Sequence, residues 1–325
     1  MTILRVLISR LGQAALVMLA VSAVSFAMFR FVGDPVATLS RENATLEEKA
    51  ELRKSLGLER PILVQYGDFL GRIVRGDLGI SFRNQRPVGE LIAERLPATL
   101  ELVMVATLLS LVLGIPLGVL CALKPDGIAA RLVQAVSLIG ISTPTFVTGI
   151  VLILVFAVNF GLLPSFGRGE TVKLGFWTTG LLTWSGLKAL ILPGITLALY
   201  QLTLIMRLVR SELIDVLSSD YIRFARARGL SPRRIHFKLA LRNALMPVIT
   251  VTGLQIGSLI AFAIVTETVF QWPGLGLLFI QAVSFSDVPV MAAYLLFVGL
   301  LFVIINTVVD LLYAVVDPRL RVRAG

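Results

Sequence analysis

Six stretches without a charged residue recur along this chain: Leu11 to Phe29, Leu102 to Leu123, within Leu132 to Gly167, Ala189 to Met206, Asn243 to Thr266 and Val288 to Val309. A helix needs roughly 20 apolar residues to cross the hydrocarbon of a bilayer. Within lipid, only helices and closed barrels satisfy every backbone donor and acceptor. Runs of this length therefore predict an all-α, polytopic membrane protein with six transmembrane helices. Composition agrees: 15% of residues are charged, against about 25% in soluble domains. A seventh uncharged run, Leu174 to Leu187, has only 14 residues and contains Trp177 and Trp184. Tryptophan favours the headgroup level, so this run reads as interfacial or re-entrant. The first run follows Arg5 and Arg10 as a secretory signal would. Its 19 uncharged residues exceed a signal core of about 7 to 15, which points to an uncleaved first span.

Six spans return both termini to one side, and Lys and Arg collect on the cytoplasmic side. With a cytoplasmic N-terminus, the inside segments hold 16 Lys and Arg against 6 Asp and Glu, while the outside segments hold 14 of each. The whole formal charge of +10 thus falls on one face. Basic character reports topology and contact with anionic lipid, not nucleic-acid binding, because the aromatic interleaving of a strand-binding groove is missing.

These boundaries divide the chain into a tail and first helix over 1–32, an extracytoplasmic subdomain over 33–101, a five-helix transmembrane core over 102–315 carrying a cytoplasmic loop at 207–246, and a cytoplasmic tail over 316–325. In the subdomain, Thr45 and Glu48 form a capping box, and Gly57 is a left-handed stop before Pro61. Ile62, Tyr66, Phe69 and Ile73 then recur at helical spacing up to a turn at Gly76 to Gly79. Pro116, Pro144, Pro193 and Pro247 permit kinks, and Gly114 with Gly118 marks close helix packing.

Several chemistries are disfavoured. Carboxylates and histidines are nearly absent at membrane depth, where an ion-coupled carrier binds its driving ion. The lone Cys121 builds no disulfide or thiolate metal site. His236, the single histidine, lies in the cytoplasmic loop, and no nucleophile with a base is visible within the membrane. No GxxxxGK[ST] phosphate loop occurs, so any ATP is bound by another subunit.

The segment 221–247 is a basic helix, a break and a second helix. Asp220 is placed to cap a helix starting at Tyr221, and Gly229 to end it. Ser231 and Pro232 read as N-cap and first helical residue. Ile235 and Leu239 form one apolar stripe; Phe237, Leu241 and Leu245 form its neighbour. A solvated basic loop that enforces orientation accounts for the charge, but not for the Gly-x-Ser-Pro break.

At these residues the chain resembles the bacterial ABC-transporter permeases, in the dipeptide/oligopeptide/nickel branch. The matches run in order: GDP at 33–35, LGLERPILVQY at 56–66, GDLGISF at 76–82, RLPATLEL at 95–102, GLLP at 161–164, DYIRFARARGLS at 220–231, ETVFQWPGLG at 267–276 and DLLYAVVDPRLR at 310–321. Arg223 stands where the broad family pattern has Glu, Met246 where Leu is common, and Leu239 where many members carry His. The resemblance implies the type I importer permease fold and a non-catalytic subunit, with ATP and Mg on partner chains and no cofactor here. Expected partners are a second, related permease, two cytoplasmic ATP-binding subunits, an extracytoplasmic substrate-binding protein and membrane lipid. Coupling to the ATPase is expected at Ala225, Arg228, Gly229, Leu230, Ser231, Pro232, Arg233 and Arg234, with Asn243 and Pro247 at the loop's return to the membrane. Gln255, Ser258 and Glu267 are the candidate substrate-pathway residues, whereas Trp272 and the Pro273-Gly274 turn read as structural. Peptides, nickel chelates, glutathione and some oligosaccharides all suit the branch. The alternatives are an ion-coupled secondary carrier and a non-transporting membrane scaffold.

Overall fold

A computed structural model describes residues 3–31, 45–55 and 57–316 of the chain. The Gly-Asp-Pro motif at 33–35 and the C-terminal arginines lie outside the described residues. The elements are α1 (Ile3–Phe31), α2 (Leu46–Ser55), α3 (Ile62–Val74), α4 (Val88–Leu123), α5 (Ile128–Ser142), α6 (Thr145–Asn159), a hairpin of β1 (Val172–Leu174) and β2 (Trp177–Thr179), α7 (Trp184–Ser218), α8 (Asp220–Ala227), α9 (Pro232–Val269), α10 (Leu275–Ser284) and α11 (Val288–Val316). Helix α6 ends in a π-helical turn from Ile153, and α9 contains another over Ile235–Ala240.

Among the described residues, four helices are long and apolar enough to cross a membrane: α4, α7, α9 and the Val288–Val309 part of α11. Helices α5 and α6 make a fifth span if taken together, but they meet at 113°. The span expected within 132–167, where Pro144 permits a kink, is bent sharply there. The cause is local: Pro144 has no N–H to donate, and its ring disfavours helical geometry at Thr143. Pro97, Pro116, Pro193 and Pro247 lie inside continuous helices. In α1 the qualifying apolar segment, Gly12–Met28, is shorter.

The central pair is α4 and α7. A Cβ built on Gly118 would stand 2.6 Å from the Met206 carbonyl oxygen and 2.7 Å from Val209 Cβ; one on Gly114 would stand 3.1 Å from the Leu202 carbonyl oxygen. Glycine at both positions lets the two backbones approach, as the GxxxG pattern predicts. Ser110 Oγ lies 2.7 Å from Ala106 O and 3.1 Å from Ala198 O, so its one proton is shared between carbonyls of the two helices. Helix α9 lies on this pair, with Leu259, Ile260 and Ala263 meeting Leu102, Ala106, Leu190 and Leu197 in one core. Helix α11 covers α9, where the Phe302 ring stacks over Gly257, and also packs on α1, where Val21 meets Gly299.

The capping box forms as expected: Thr45 N donates to Glu48 Oε2 at 2.8 Å, and Glu48 N to Thr45 Oγ1 at 3.3 Å. Gly57 has a φ of +69°. Helix α3 rests on α1 through Tyr66, whose hydroxyl bonds Ser22 Oγ at 2.8 Å, and through the Phe26, Tyr66 and Phe69 rings. The short uncharged run at 174–187 is not a re-entrant helix. Leu174 pairs with Trp177 across a turn at Gly175, and Thr183 Oγ1 then caps α7 by accepting from Gly186 N at 3.0 Å.

Candidate functional site

Two polar constellations stand out, at opposite ends of the α4–α7–α9 core. The first is the segment 219–247. Helix α8 presents Ile222 and Ala225 inward, where they join Ile235, Ala240, Ala244 and Val248 of α9 against Val119 and Ala122 of α4 and Ile205, Val209 and Leu213 of α7. Full burial of a side chain such as Ile222 contributes roughly 1.5–3 kcal/mol. The hairpin is thereby fixed to the ends of three membrane helices rather than hung from them. Gly229 has a φ of +78°, and Leu230 N donates to Ala225 O across the turn. Only glycine adopts that backbone conformation without strain.

One expected cap shifts by one residue and the other stays in place. Asp220 is the first helical residue, not the N-cap, and pairs with Arg223 at 3.2 Å; the Ser219 carbonyl receives Ile222 N and Arg223 N. Ser231 occupies the N-cap of α9 without a side-chain capping bond. Its carbonyl accepts from Arg234 N at 3.0 Å and Ile235 N at 3.1 Å. Asn243 Nδ2 donates to the Tyr221 hydroxyl at 2.8 Å and braces α8 against α9.

The ten expected coupling residues separate into two groups. Arg228, Gly229, Ser231, Pro232, Arg233 and Arg234 are exposed on the tip, with Asn243 exposed at its brace. Ala225 is buried, and Leu230 and Pro247 are half-buried, so these seat the hairpin on the core. Beside the arginines, Phe224 is 65% exposed and Phe237 52%. Among the described residues, Arg226, Arg228, Arg233 and Arg234 have no acidic partner within ion-pair distance. The tip is a cationic surface with exposed aromatic faces.

The second constellation lies at the other end of α4. Glu267 is fully buried; its Oε1 accepts from Thr99 Oγ1 at 2.6 Å and its Oε2 from Leu277 N at 3.0 Å, while Thr99 Oγ1 also accepts from Leu275 N at 2.8 Å. Glu267 and Thr99 thus cap the first turn of α10, where unsatisfied N–H groups attract a carboxylate. A Cβ on Gly274 would overlap the Glu267 carboxylate, and one on Gly276 would come within 2.6 Å of Ile264 Cα. Trp272 Nε1 donates to Ala98 O at 2.9 Å, and the ring is fully buried. The WPGLG sequence is therefore a close-packed corner. Beside it, Arg168 and Glu101 form a buried ion pair at 2.6 Å. Arg168 also donates to Thr178 O at 2.6 Å, tying the β-hairpin to α4. Sequence spacing offered no sign of this pair, which joins residues 67 positions apart.

The three candidate pathway residues are not brought together. Glu267 is enclosed in the corner. Ser258 lines an apolar groove of about 530 Å³ between α1, α9 and α11, and Gln255 is half-buried. Among the described residues, no cluster of His, Cys, Asp and Glu is arranged to hold a metal.

Residues 114–322 match the family model of binding-protein-dependent transport system inner membrane components, and residues 3–103 match the model of the N-terminal region of such membrane components. The chain is 40% identical over 326 residues to the di/tripeptide transport system permease protein DppB of Pseudomonas aeruginosa, covering 96% of this chain and 97% of that one. It is 38% identical over 335 residues to the dipeptide transport system permease protein DppB of Escherichia coli K12, covering 98% and 99%. Among solved structures, a chain of the MetNI methionine ABC transporter, in inward-facing conformations, superposes with a TM-score of 0.55 at 23% identity, over 70% of this chain and 96% of that chain. That likeness concerns the fold.

Proposed function

We infer the function from one premise: the chain belongs to the family of binding-protein-dependent transport system inner membrane components, and is a multi-pass inner-membrane protein. On that footing it is the permease subunit of an ATP-driven importer and forms half of a translocation pathway. Its cargo is peptide, the class named for its full-length relatives. In this reading α1 and the broken α5–α6 pair complete a set of six spans, both termini are cytoplasmic, and the 33–101 and 267–287 segments face outward. The charge asymmetry of the sequence supports that orientation.

The observation that carries the mechanism is the seated, cationic hairpin. Arg228, Gly229, Ser231, Pro232, Arg233 and Arg234 enter a cleft of a cytoplasmic ATP-binding subunit. Ala225, Leu230, Asn243 and Pro247 make the hairpin move with α4, α7 and α9. Closure of two ATP-binding subunits then pushes on the hairpin and reorients the spans, and cargo from an extracytoplasmic binding protein enters the cavity shared with a second, related permease. The chain itself performs no hydrolysis, and ATP and Mg belong to the partners. Purification in mild detergent with mass identification of the co-purifying chains tests this assembly. Recovery of an ATP-binding subunit and a second permease is expected; their absence from an inserted, folded chain contradicts the reading.

A further inference from the structure

A cavity of about 120 Å³ lies between the 81–86 turn, the start of α4, and helices α10 and α11. Arg83 and Arg95 both line it, together with Asn84 and Gln281. Like charges converging on one small volume repel, so such an arrangement normally receives a counter-charge. One carboxylate, that of Asp287, shares the lining with the two arginines, so the cavity keeps a net positive charge. Asp287, in the wall, is 2% exposed; it accepts from Ser81 Oγ, from Phe82 N at 3.1 Å and from Arg83 N at 3.4 Å. Glu90 and Glu94 are held by Arg86, at 3.3 and 2.5 Å. Glu267 caps α10. Among the described residues, Arg95 makes no hydrogen bond or close ion pair, and it acts on the Glu94 and Glu267 carboxylates only at longer range. The Arg83 guanidinium sits 3.5 Å over the Phe285 ring, which orients it without neutralising it.

We propose that this cavity is a carboxylate-binding site. Two guanidiniums offer the planar, forked donors that match a carboxylate. Leu91 and Val290 supply an apolar wall for the carbon that bears it. The volume suits a carboxylate and its adjoining carbons rather than a whole peptide. The group comes either from the C-terminus of a peptide or from an acidic side chain of a docking protein. Placement of the site on the extracytoplasmic face rests on the orientation proposed above; its chemistry does not.

The test uses the full-length chain in nanodiscs of neutral lipid, with phenylglyoxal labelling of arginines read by mass spectrometry. Acetate should slow labelling of Arg83 and Arg95 by about tenfold, the scale of one charge-assisted hydrogen bond. Acetamide should not, and Arg86, which does not line the cavity, should be unaffected by either. Glycyl-leucine protecting more strongly than its C-terminal amide assigns the site to peptide termini. Protection by N-acetylglutamic acid α-amide, without protection by glycyl-leucine, assigns it to acidic side chains. Equal protection by acetamide, protection by inorganic phosphate alone, or no protection by any carboxylate overturns the proposal. In Arg95→Ala the protection of Arg83 should be lost; if that variant fails to fold, wild-type labelling decides alone. Because labelling is read on the single chain, failure here leaves the ATPase-coupling reading intact.

Discussion

Asn243 Nδ2 and the Tyr221 hydroxyl meet at 2.8 Å, joining the first turn of α8 to a turn of α9 that is 22 residues later in sequence. This bond links the exposed hairpin to the helix that continues into the membrane. Both residues are exposed, so the bond contributes at the low end of the usual range, about 0.5 kcal/mol. Tyr221→Phe and Asn243→Ala should each lower thermal stability slightly. A double-mutant cycle should show that the two effects do not add; full additivity would mean that the bond is not formed.

The Glu101–Arg168 pair makes a stronger prediction. Removing one partner leaves a buried charge without its counter-ion and costs about 3–5 kcal/mol. Arg168→Met alone should sharply reduce the yield of folded protein in detergent. Glu101→Gln with Arg168→Met should recover much of it, as measured by fluorescence-detected size exclusion after heating.

At the α4–α7 contact, the two glycines should differ in sensitivity. Gly118→Ala meets backbone at 2.6 Å, while Gly114→Ala meets its neighbours at 3.1 Å. Overpacking costs about 1–3 kcal/mol, and the larger loss in melting temperature should fall on Gly118→Ala. A greater loss at Gly114 would place the helices in a different register.

Gly274→Ala should be destabilising because its methyl group collides with the Glu267 carboxylate. Glu267→Gln keeps an acceptor for Leu277 N and is expected to be milder than Glu267→Ala, which leaves first-turn donors of α10 unpaired. Removing a partner of a buried polar group costs about 1–3 kcal/mol. Unfolding midpoints of the three variants test that order.

What could be read from the sequence was what local chemistry decides. The Thr45–Glu48 capping box, the left-handed turns at Gly57 and Gly229 and the close approach at Gly114 and Gly118 each depend on residues a few positions apart. The 113° break at Pro144 was signalled by the proline, but the apolar run around it looked uninterrupted. The cap expected at Asp220 falls instead on Ser219, while Ser231 and Pro232 take the N-cap and first helical positions that their order indicates. At 174–187, an interfacial run proved to hold a two-stranded hairpin, since Arg168 reaches Thr178 O from a neighbouring loop. Glu267 looked available for cargo because its partners, Thr99 and Leu277, are set by tertiary packing. Of the coupling residues, exposure of the Arg228–Arg234 tip followed from the Gly-x-Ser-Pro break. Burial of Ala225 depended on where α4 and α7 end.

The most direct measurement is peptide uptake and peptide-stimulated ATP hydrolysis by the assembled transporter in proteoliposomes, comparing wild type with Arg233→Glu and Gly229→Val. Neither site has close packing to disturb: Arg233 is exposed, and a Cβ on Gly229 would meet nothing within 4 Å. A positive φ costs an unbranched side chain about 1–2 kcal/mol and a β-branched one more, so the amount of folded Gly229→Val in the membrane is measured alongside its uptake. The account predicts that both variants reach the membrane in normal amounts while uptake and its stimulation of hydrolysis are lost together. Uptake and stimulated hydrolysis at wild-type rates in both variants would contradict the coupling role of the hairpin.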